Sequence, residues 1–430
     1  LTDLHPNLHL MSATEAAAAI AAGRLKPSTL AAGCLERIEQ REATIGAWTW
    51  IDVGRAMERA RALDAMAPRS RLHGIPVGVK DVIDTGDMPT EYGSPIHRGH
   101  QPRADAACVA LVREAGGLVL GKTVTTEFAT RHPGKTRNPH NPEHTPGGSS
   151  SGSAAAVADG MVPLAFGTQT SSSIIRPAAF CGVVGYKPTY NTLNRAGLKF
   201  LSESMDTLGV LTRTVPDAAL ITEALTGAAP TDFSAAGSLR PRIGFCRTPW
   251  WMQADEASRA ALEALASRLA AAGARVQDID LPAPCAPLDR IQVEVSSYEF
   301  YRALSWERCT HPALLSSHLT QRLEGGGRIT RTQYIEGLAH IERCRTMLDD
   351  VFRDVDVLLS PSAKGEAPRG IDATGDPIFG LAWTVLHAPT VTVPVLTGPS
   401  GLPLGAQIVG RRGTDAQTLL AADWVVRNAG

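Results

Sequence analysis

Gly74-Ile75-Pro76-Val77-Gly78-Val79-Lys80 is a short, β-branched run bounded by turn residues, the pattern of a buried strand, and it ends on a lysine. Downstream the chain alternates: Ala106 to Glu114 has helical periodicity, Leu118-Val119-Leu120 reads as a strand, and Val162 to Phe166 reads as another. Short apolar strands alternating with helices signal an α/β layered fold, so a mixed central β-sheet sandwiched by α-helices is expected. Further along, strands at Arg242-Ile243-Gly244-Phe245 and Ala274-Arg275-Val276 flank an alanine-rich amphipathic helix from Asp255 to Ala272, with Leu262, Leu265 and Leu269 on its apolar side. Ile291 to Arg353 is mostly helical, and Gly325-Gly326-Gly327 is expected to break it as a flexible loop over a pocket. Val355 to Leu359, Val391 to Val395 and Ala406 to Val409 supply the closing strands. At the other end, Ser12-Ala13-Thr14-Glu15 resembles a capped helix start, and Leu30, Cys34 and Ile38 recur at helical spacing. Residues 1–70 are accordingly read as a helical portion of two helices within a single domain, 1–430.

Composition excludes several classes. The 430 residues carry 42 Lys and Arg against 43 Asp and Glu, a formal charge of −1 that suits neither a basic nucleic-acid binder nor a highly charged disordered chain. Hydrophobic residues at 43% with charged residues at 20% are enough for a large core. No run approaches the ~20 apolar residues of a membrane span, and Ala16 to Ala22, flanked by Glu15 and Arg24, reads as helix and not as signal peptide. Cys34, Cys108, Cys181, Cys246, Cys285, Cys309 and Cys344 are scattered with no C-x-x-C pair, the usage of reduced thiols in a cytoplasmic protein. His132, His140 and His144 lie near Glu143, a composition that can bind metal. Pro133, Pro139, Pro142 and Pro146 prevent His140 and His144 from sharing a helical face, so a Pro-rich surface loop without metal is expected.

Two clusters break the ordinary rules of composition: Thr145-Pro146-Gly147-Gly148-Ser149-Ser150-Ser151-Gly152-Ser153, and Gly167-Thr168-Gln169-Thr170-Ser171-Ser172-Ser173-Ile174-Ile175-Arg176-Pro177. They flank helix-like and strand-like runs, which argues against linkers. A phosphate loop would need G-x-x-x-x-G-K-[ST], and no lysine follows these glycines. A nucleophilic serine remains, and serine needs a base because its free hydroxyl is weak. No G-x-S-x-G elbow supports a Ser-His-Asp triad.

These clusters, with Gly74 to Asp81 upstream, resemble the amidase signature family of amide hydrolases. Gly121-Lys122-Thr123 with Glu127-Phe128-Ala129, Phe180 to Thr189, and Gly401 to Gln407 extend the resemblance over nearly the whole chain. It implies the amidase signature fold, a catalytic core at 72–220, and a Ser-Ser-Lys triad of Lys80, Ser149 and Ser173, with a cis peptide before Ser149. It also implies an oxyanion hole from the backbone of Thr170, Ser171, Ser172 and Ser173. Ser150 and Gln169 are the expected supporting residues. The chemistry is consistent on physical grounds: a lysine that accepts a proton near pH 7 must be neutral, and burial beside Val77 and Val79 disfavours its charged form. Asp81 is next in sequence, but neighbours on a strand point to opposite faces.

Some positions depart from the family pattern. Where that pattern reads G-T-D-x-G-G-S-I-R, this chain has Gln169 for the acid, Ser171 and Ser172 for the glycines, and Ile175 for the arginine. Loss of acid and arginine together suggests a charge pair exchanged as a unit, with Arg176 reoriented. A glycine there serves a φ > 0 backbone that serine disfavours, which makes a catalytically impaired ligand-binding homologue the non-enzyme alternative. Near the C-terminus, N-x-x-G-x-P-A is replaced by Thr384 to Thr390, and His387 is expected to be a core or loop histidine with a satisfied hydrogen bond. Substrate choice is assigned to Ser297 to Ile341, Thr125, Thr126 and Trp383. The resulting expectation is a cytoplasmic amide hydrolase with no metal and no cofactor, acting on a small-molecule carboxylic or ureido-type amide. No nucleic-acid or membrane partner is expected, and homodimerisation is left open. The second enzyme reading is the glutaminase subunit of a tRNA-dependent amidotransferase, which shares the family core.

Overall fold

The structure, a computed structural model, describes residues 7–430. Its strands are β1 (Trp48–Ile51), β2 (Pro76–Lys80), β3 (Leu118–Thr123), β4 (Leu164–Gln169), β5 (Val184–Lys187), β6 (Thr207–Thr212), β7 (Arg242–Cys246), β8 (Arg275–Ile279), β9 (Val357–Pro361), β10 (Thr390–Thr397) and β11 (Pro403–Gly410). Its helices are α1 (Ala13–Ala21), α2 (Pro27–Ile45), α3 (Val53–Asp64), α4 (Ala107–Glu114), α5 (Ser151–Ala158), α6 (Ile175–Cys181), α7 (Val215–Thr226), α8 (Glu256–Ala271), α9 (Leu288–Ala303), α10 (Ser305–Thr310), α11 (Ser317–Arg328), α12 (Arg331–Val351), α13 (Ile378–Val385) and α14 (Asp415–Asn428). The strands form one mixed sheet in the order β1-β3-β2-β4-β6-β5-β10-β11-β9-β7-β8, the layered α/β architecture expected.

Alternate residues of each strand feed opposite cores, as the two-residue period requires. Val77, Val79, Val119, Leu164, Phe166, Val357 and Leu359 join a core with α1, α4, α7, α8 and α14. Leu118, Leu120 and Ala165 face α2, α3, α5 and α6 on the other side, and Leu358 and Val409 face α9, α12 and α13. Lys80, three residues beyond Val77 and one beyond Val79, therefore points toward the α5 and α6 face. Between β2 and β3 the register shifts after Val77↔Val119, so Gly78 pairs with Gly121 and Lys80 with Thr123. That bulge places Leu120 as the extra residue and turns Lys122 away from the Lys80 side.

Two expectations need correction. The segment 1–70, whose residues 1–6 lie outside the described range, holds among its described residues three α-helices, a short 3-10 helix at Leu8–Leu10 and the strand β1 where two helices were expected. Gly325, Gly326 and Gly327 do not form a loop; they lie inside α11. A Cβ on Gly326 would come within 2.1 Å of the Ser297 carbonyl oxygen, and one on Gly327 within 2.9 Å of the Tyr301 ring, so these glycines let α11 press onto α9. Strands β5 and β6 have no counterpart among the strands expected from sequence, and each carries an interior glycine that weakens the strand pattern. A Cβ on Gly209 would lie 2.3 Å from the Tyr186 carbonyl oxygen, so the glycine there permits close backbone approach. Among the described residues no helix is long and apolar enough to cross a membrane.

Candidate active site

Lys80 ends β2 fully buried, at the seam where α5 and the loop after β4 meet the sheet. Its Nζ lies 2.7 Å from Ser149 Oγ, 3.0 Å from Ser150 Oγ and 2.8 Å from Thr168 Oγ1, with the Thr168 carbonyl oxygen at 3.4 Å. Burial pushes its amine well below the ordinary lysine value, and Asp206 is the charge that opposes the shift. Asp81 belongs to a separate pair: its carboxylate is 3.4 Å from Lys122 Nζ, on the side to which the β3 bulge turns that lysine. Lys122 also donates to the Ile83 carbonyl at 2.7 Å and is lowered to about 8 by burial.

Ser149 follows a cis peptide bond from Gly148 and precedes α5. Gly152 lets the start of α5 approach the sheet edge, since a Cβ there would sit 2.2 Å from the Ala47 carbonyl oxygen and 2.3 Å from the Val124 nitrogen. Thr126 N–H donates to the Ser149 carbonyl at 3.4 Å. Ser150 ties the two clusters together: its N–H donates to the Ser173 carbonyl at 3.2 Å, and its hydroxyl accepts from Thr168 N–H at 3.3 Å. Lys80, Ser149 and Ser150 are thus directly connected, and Ser173 joins them through backbone. Among the described residues no hydrogen bond links Ser149 Oγ to Ser173 Oγ.

The loop Thr170 to Ser173 is anchored from outside. Gln169 Oε1 accepts from Ile174 N–H at 2.8 Å and Ile175 N–H at 3.1 Å, while its Nε2 donates to Thr384 Oγ1 at 2.9 Å. Gln169 therefore accepts from the first N–H groups of α6 with a neutral carbonyl. Thr384 Oγ1 donates to the Ser171 carbonyl at 2.7 Å, and Thr170 Oγ1 to Asp206 at 2.5 Å. Gln292 Nε2 reaches the Thr170 carbonyl and Ser171 Oγ, both at 3.0 Å. Among the described residues the N–H groups of Thr170, Ser171, Ser172 and Ser173 donate to no other group. Neither Ser171 nor Ser172 has a positive φ, so the backbone ground for impairment does not hold.

Arg176 Nη2 donates to the Gly148 carbonyl at 2.7 Å and to Thr374 Oγ1 at 3.1 Å. Burial lowers it to about 9, and Arg131 adds to the shift. His140 and His144 each engage a backbone carbonyl, of Cys181 at 3.0 Å and Ala367 at 2.7 Å. His387 stacks on Tyr190 and contacts the Ser204 carbonyl at 2.9 Å, the satisfied environment expected. Trp383 is buried within α13. Thr168, Asp206, Gln292 and Thr384 escaped the sequence reading. Thr168 stood in the second cluster and Thr384 opened the stretch that departs from the family pattern near the C-terminus, but neither was given a role. Asp206 and Gln292 carry no local signal, and the sheet, α9 and α13 bring Asp206, Gln292 and Thr384 to the loop.

A protein-family model described as Amidase matches residues 29–419. The A subunit of glutamyl-tRNA(Gln) amidotransferase from Anaeromyxobacter sp. (strain K) is 32% identical over 474 residues, spanning 97% of this chain and 96% of that protein. A crystal structure of an amidase is similar with a TM-score of 0.89 at 30% identity, covering 98% of this chain and 100% of that one. The native peptide amidase from Stenotrophomonas maltophilia gives a TM-score of 0.84 at 28% identity, covering 97% of each chain.

Proposed function

The chain belongs to the amidase signature family, and on that premise we propose that it hydrolyses carboxylic or ureido-type amides to acid plus ammonia or amine, with Lys80, Ser149 and Ser173 carrying the chemistry. The observation that carries the reading is the 2.7 Å contact between the buried Lys80 amine and Ser149 Oγ, in a shell of hydroxyls without an ion-paired carboxylate. A neutral Lys80 takes the proton of Ser149, which takes that of Ser173, whose oxygen attacks the amide carbonyl. The unspent N–H groups of Thr170 to Ser173 receive the developing oxyanion, a role in which one donor is commonly worth about 10²–10³ in rate. The proton returns through Ser149 to the leaving amine, and water then releases the acid from Ser173 by the same relay. Each step uses only groups of the chain, the amide and water.

Turnover should be screened on a panel of aliphatic, aryl and ureido amides, read by ammonia or amine release. Ser173→Ala, Ser149→Ala and Lys80→Ala are expected to lose at least about 10³-fold in kcat while remaining folded. A fluorophosphonate probe should label Ser173. Full activity in Ser173→Ala overturns the mechanism. The glutaminase-subunit reading is supported by the 32% identity to the Anaeromyxobacter protein along nearly its whole length. It expects a copurifying partner chain and ammonia release from glutamine, and glutamine inertness with activity on other amides would exclude it.

A further inference from the structure

We propose that Gln292 is a positioning residue for amide hydrolysis, fixing the Thr170 to Ser173 loop through the Ser171 hydroxyl. The inference rests on the proposed role of that loop. The four N–H groups of the loop bond nothing else among the described residues, so nothing within the loop itself fixes their direction. Their aim depends on what holds the carbonyls and side chains around them. Thr384 takes the Ser171 carbonyl, and Asp206 takes the Thr170 hydroxyl. Among the described residues Gln292 alone bonds two successive residues of the loop with one group, since both protons of its Nε2 are spent on the Thr170 carbonyl and Ser171 Oγ.

Gln292 comes from α9, far along the chain from the serine clusters, and is 1% exposed. Its Oε1 is buried without a partner, as is the neighbouring Ser172 Oγ. An amide satisfied on one side only is costly at a buried position, where an apolar side chain of the same shape is nearly neutral. Packing therefore does not account for Gln292, whereas its two donated bonds do. One of those bonds needs Ser171. A glycine at that position has no hydroxyl to offer, so of the two links between α9 and the loop the bond to the Thr170 carbonyl needs only backbone, and the bond to Ser171 Oγ depends on the serine this chain carries there. A serine that looks like an obstruction in sequence is the handle by which the loop is held.

The test compares Gln292→Met, Ser171→Gly and the double variant in the intact protein, with Ser173→Ala alongside. Gln292→Met should lower kcat by about 10- to 100-fold, the scale of a misaimed oxyanion loop. KM should move less than about 3-fold, and the loss should be the same for a small aliphatic and a bulky aryl amide, as for a contact made to the enzyme's own loop and not to the substrate. Ser171→Gly should lower kcat in the native background and change nothing further in the Gln292→Met background, because its hydroxyl then has no partner. Should Gln292→Met not fold, Gln292→Glu has the same shape, lacks the N–H donors and carries the same expectation. A kcat within about 2-fold of the native protein, a loss confined to KM, or an equal Ser171→Gly effect in both backgrounds overturns the inference while leaving the triad intact. Turnover retained by Ser173→Ala overturns the reading of the loop and the inference with it.

Discussion

Lys80 is surrounded by oxygens that can take its protons, yet among the described residues no carboxylate pairs with it, and burial holds its amine well below the ordinary lysine value of about 10.4. In the proposed relay Lys80 is the base, and a base must be neutral to act, so kcat/KM should rise with pH through that lowered value and level off above it. Asp206 favours the charged amine. Asp206→Asn removes that charge and lowers the pKa of Lys80 further, which moves the rising limb to lower pH. The shape of the site should survive, because Asn keeps an oxygen for the Leu201 and Ser202 N–H groups and an amide that can donate to the Thr170 hydroxyl. Profiles of kcat/KM against pH for the two proteins check this, and a limb that stays or moves upward contradicts it. Lys80, Ser149, Ser150 and Ser173 were readable in sequence because each sits in an ordered local motif. Asp206 was not, since its only advertisement is a position beside Thr170 that pairing of β4 with β6 creates.

Elements were read well where periodicity and chemistry agreed and poorly where glycine served packing. The helix from Asp255 to Ala272 and the strands at β2, β7 and β9 emerged within a residue or two of their places, whereas α11 was split at its glycines. Three adjacent glycines imply a break by propensity alone. The pressure of α9 on one side of α11 is invisible in sequence, and it separates the glycines into two kinds. Gly326 faces the Ser297 carbonyl oxygen at 2.1 Å from an added Cβ, while Gly325 has nothing within 4 Å. Gly326→Ala should therefore destabilise the protein by about 1–3 kcal/mol through overpacking. Gly325→Ala should stabilise it by up to about 1 kcal/mol, the intrinsic helical preference of alanine. Urea denaturation midpoints decide the matter, and equal effects at the two positions would sink the packing account of α11.

At the scale of the molecule, the order of the sheet decides how the site is held. The groups proposed for catalysis come from β2, the start of α5 and the loop after β4, all in the first half of the chain, while Gln292 and Thr384 come from the second. The late hairpin β10–β11 lies in the interior of the sheet, with β10 paired to β5 on one side and β11 to β9 on the other. A cut of the chain between β6 and β7 divides the sheet into β1-β3-β2-β4-β6-β5 and β10-β11-β9-β7-β8, joined by the β5–β10 pairing, and one apolar core crosses that junction, with Val77, Phe166 and Val184 from the first block and Ile243, Val357 and Val391 from the second. Chains of this size commonly unfold through intermediates. The shared core argues for loss of both halves together, because melting β10–β11 strips one neighbour from each of β5 and β9 and opens the core that both blocks build. Far-ultraviolet circular dichroism, tryptophan fluorescence and residual amide hydrolysis should accordingly share one urea midpoint. The tryptophans sample both ends of the sheet, with Trp48 and Trp50 on β1, Trp251 after β7 and Trp424 in α14 packed against β10 and β11. A fluorescence transition separated from the loss of hydrolysis would show that the two halves fail independently, and would argue for two packed units in place of the single domain, 1–430, expected from sequence.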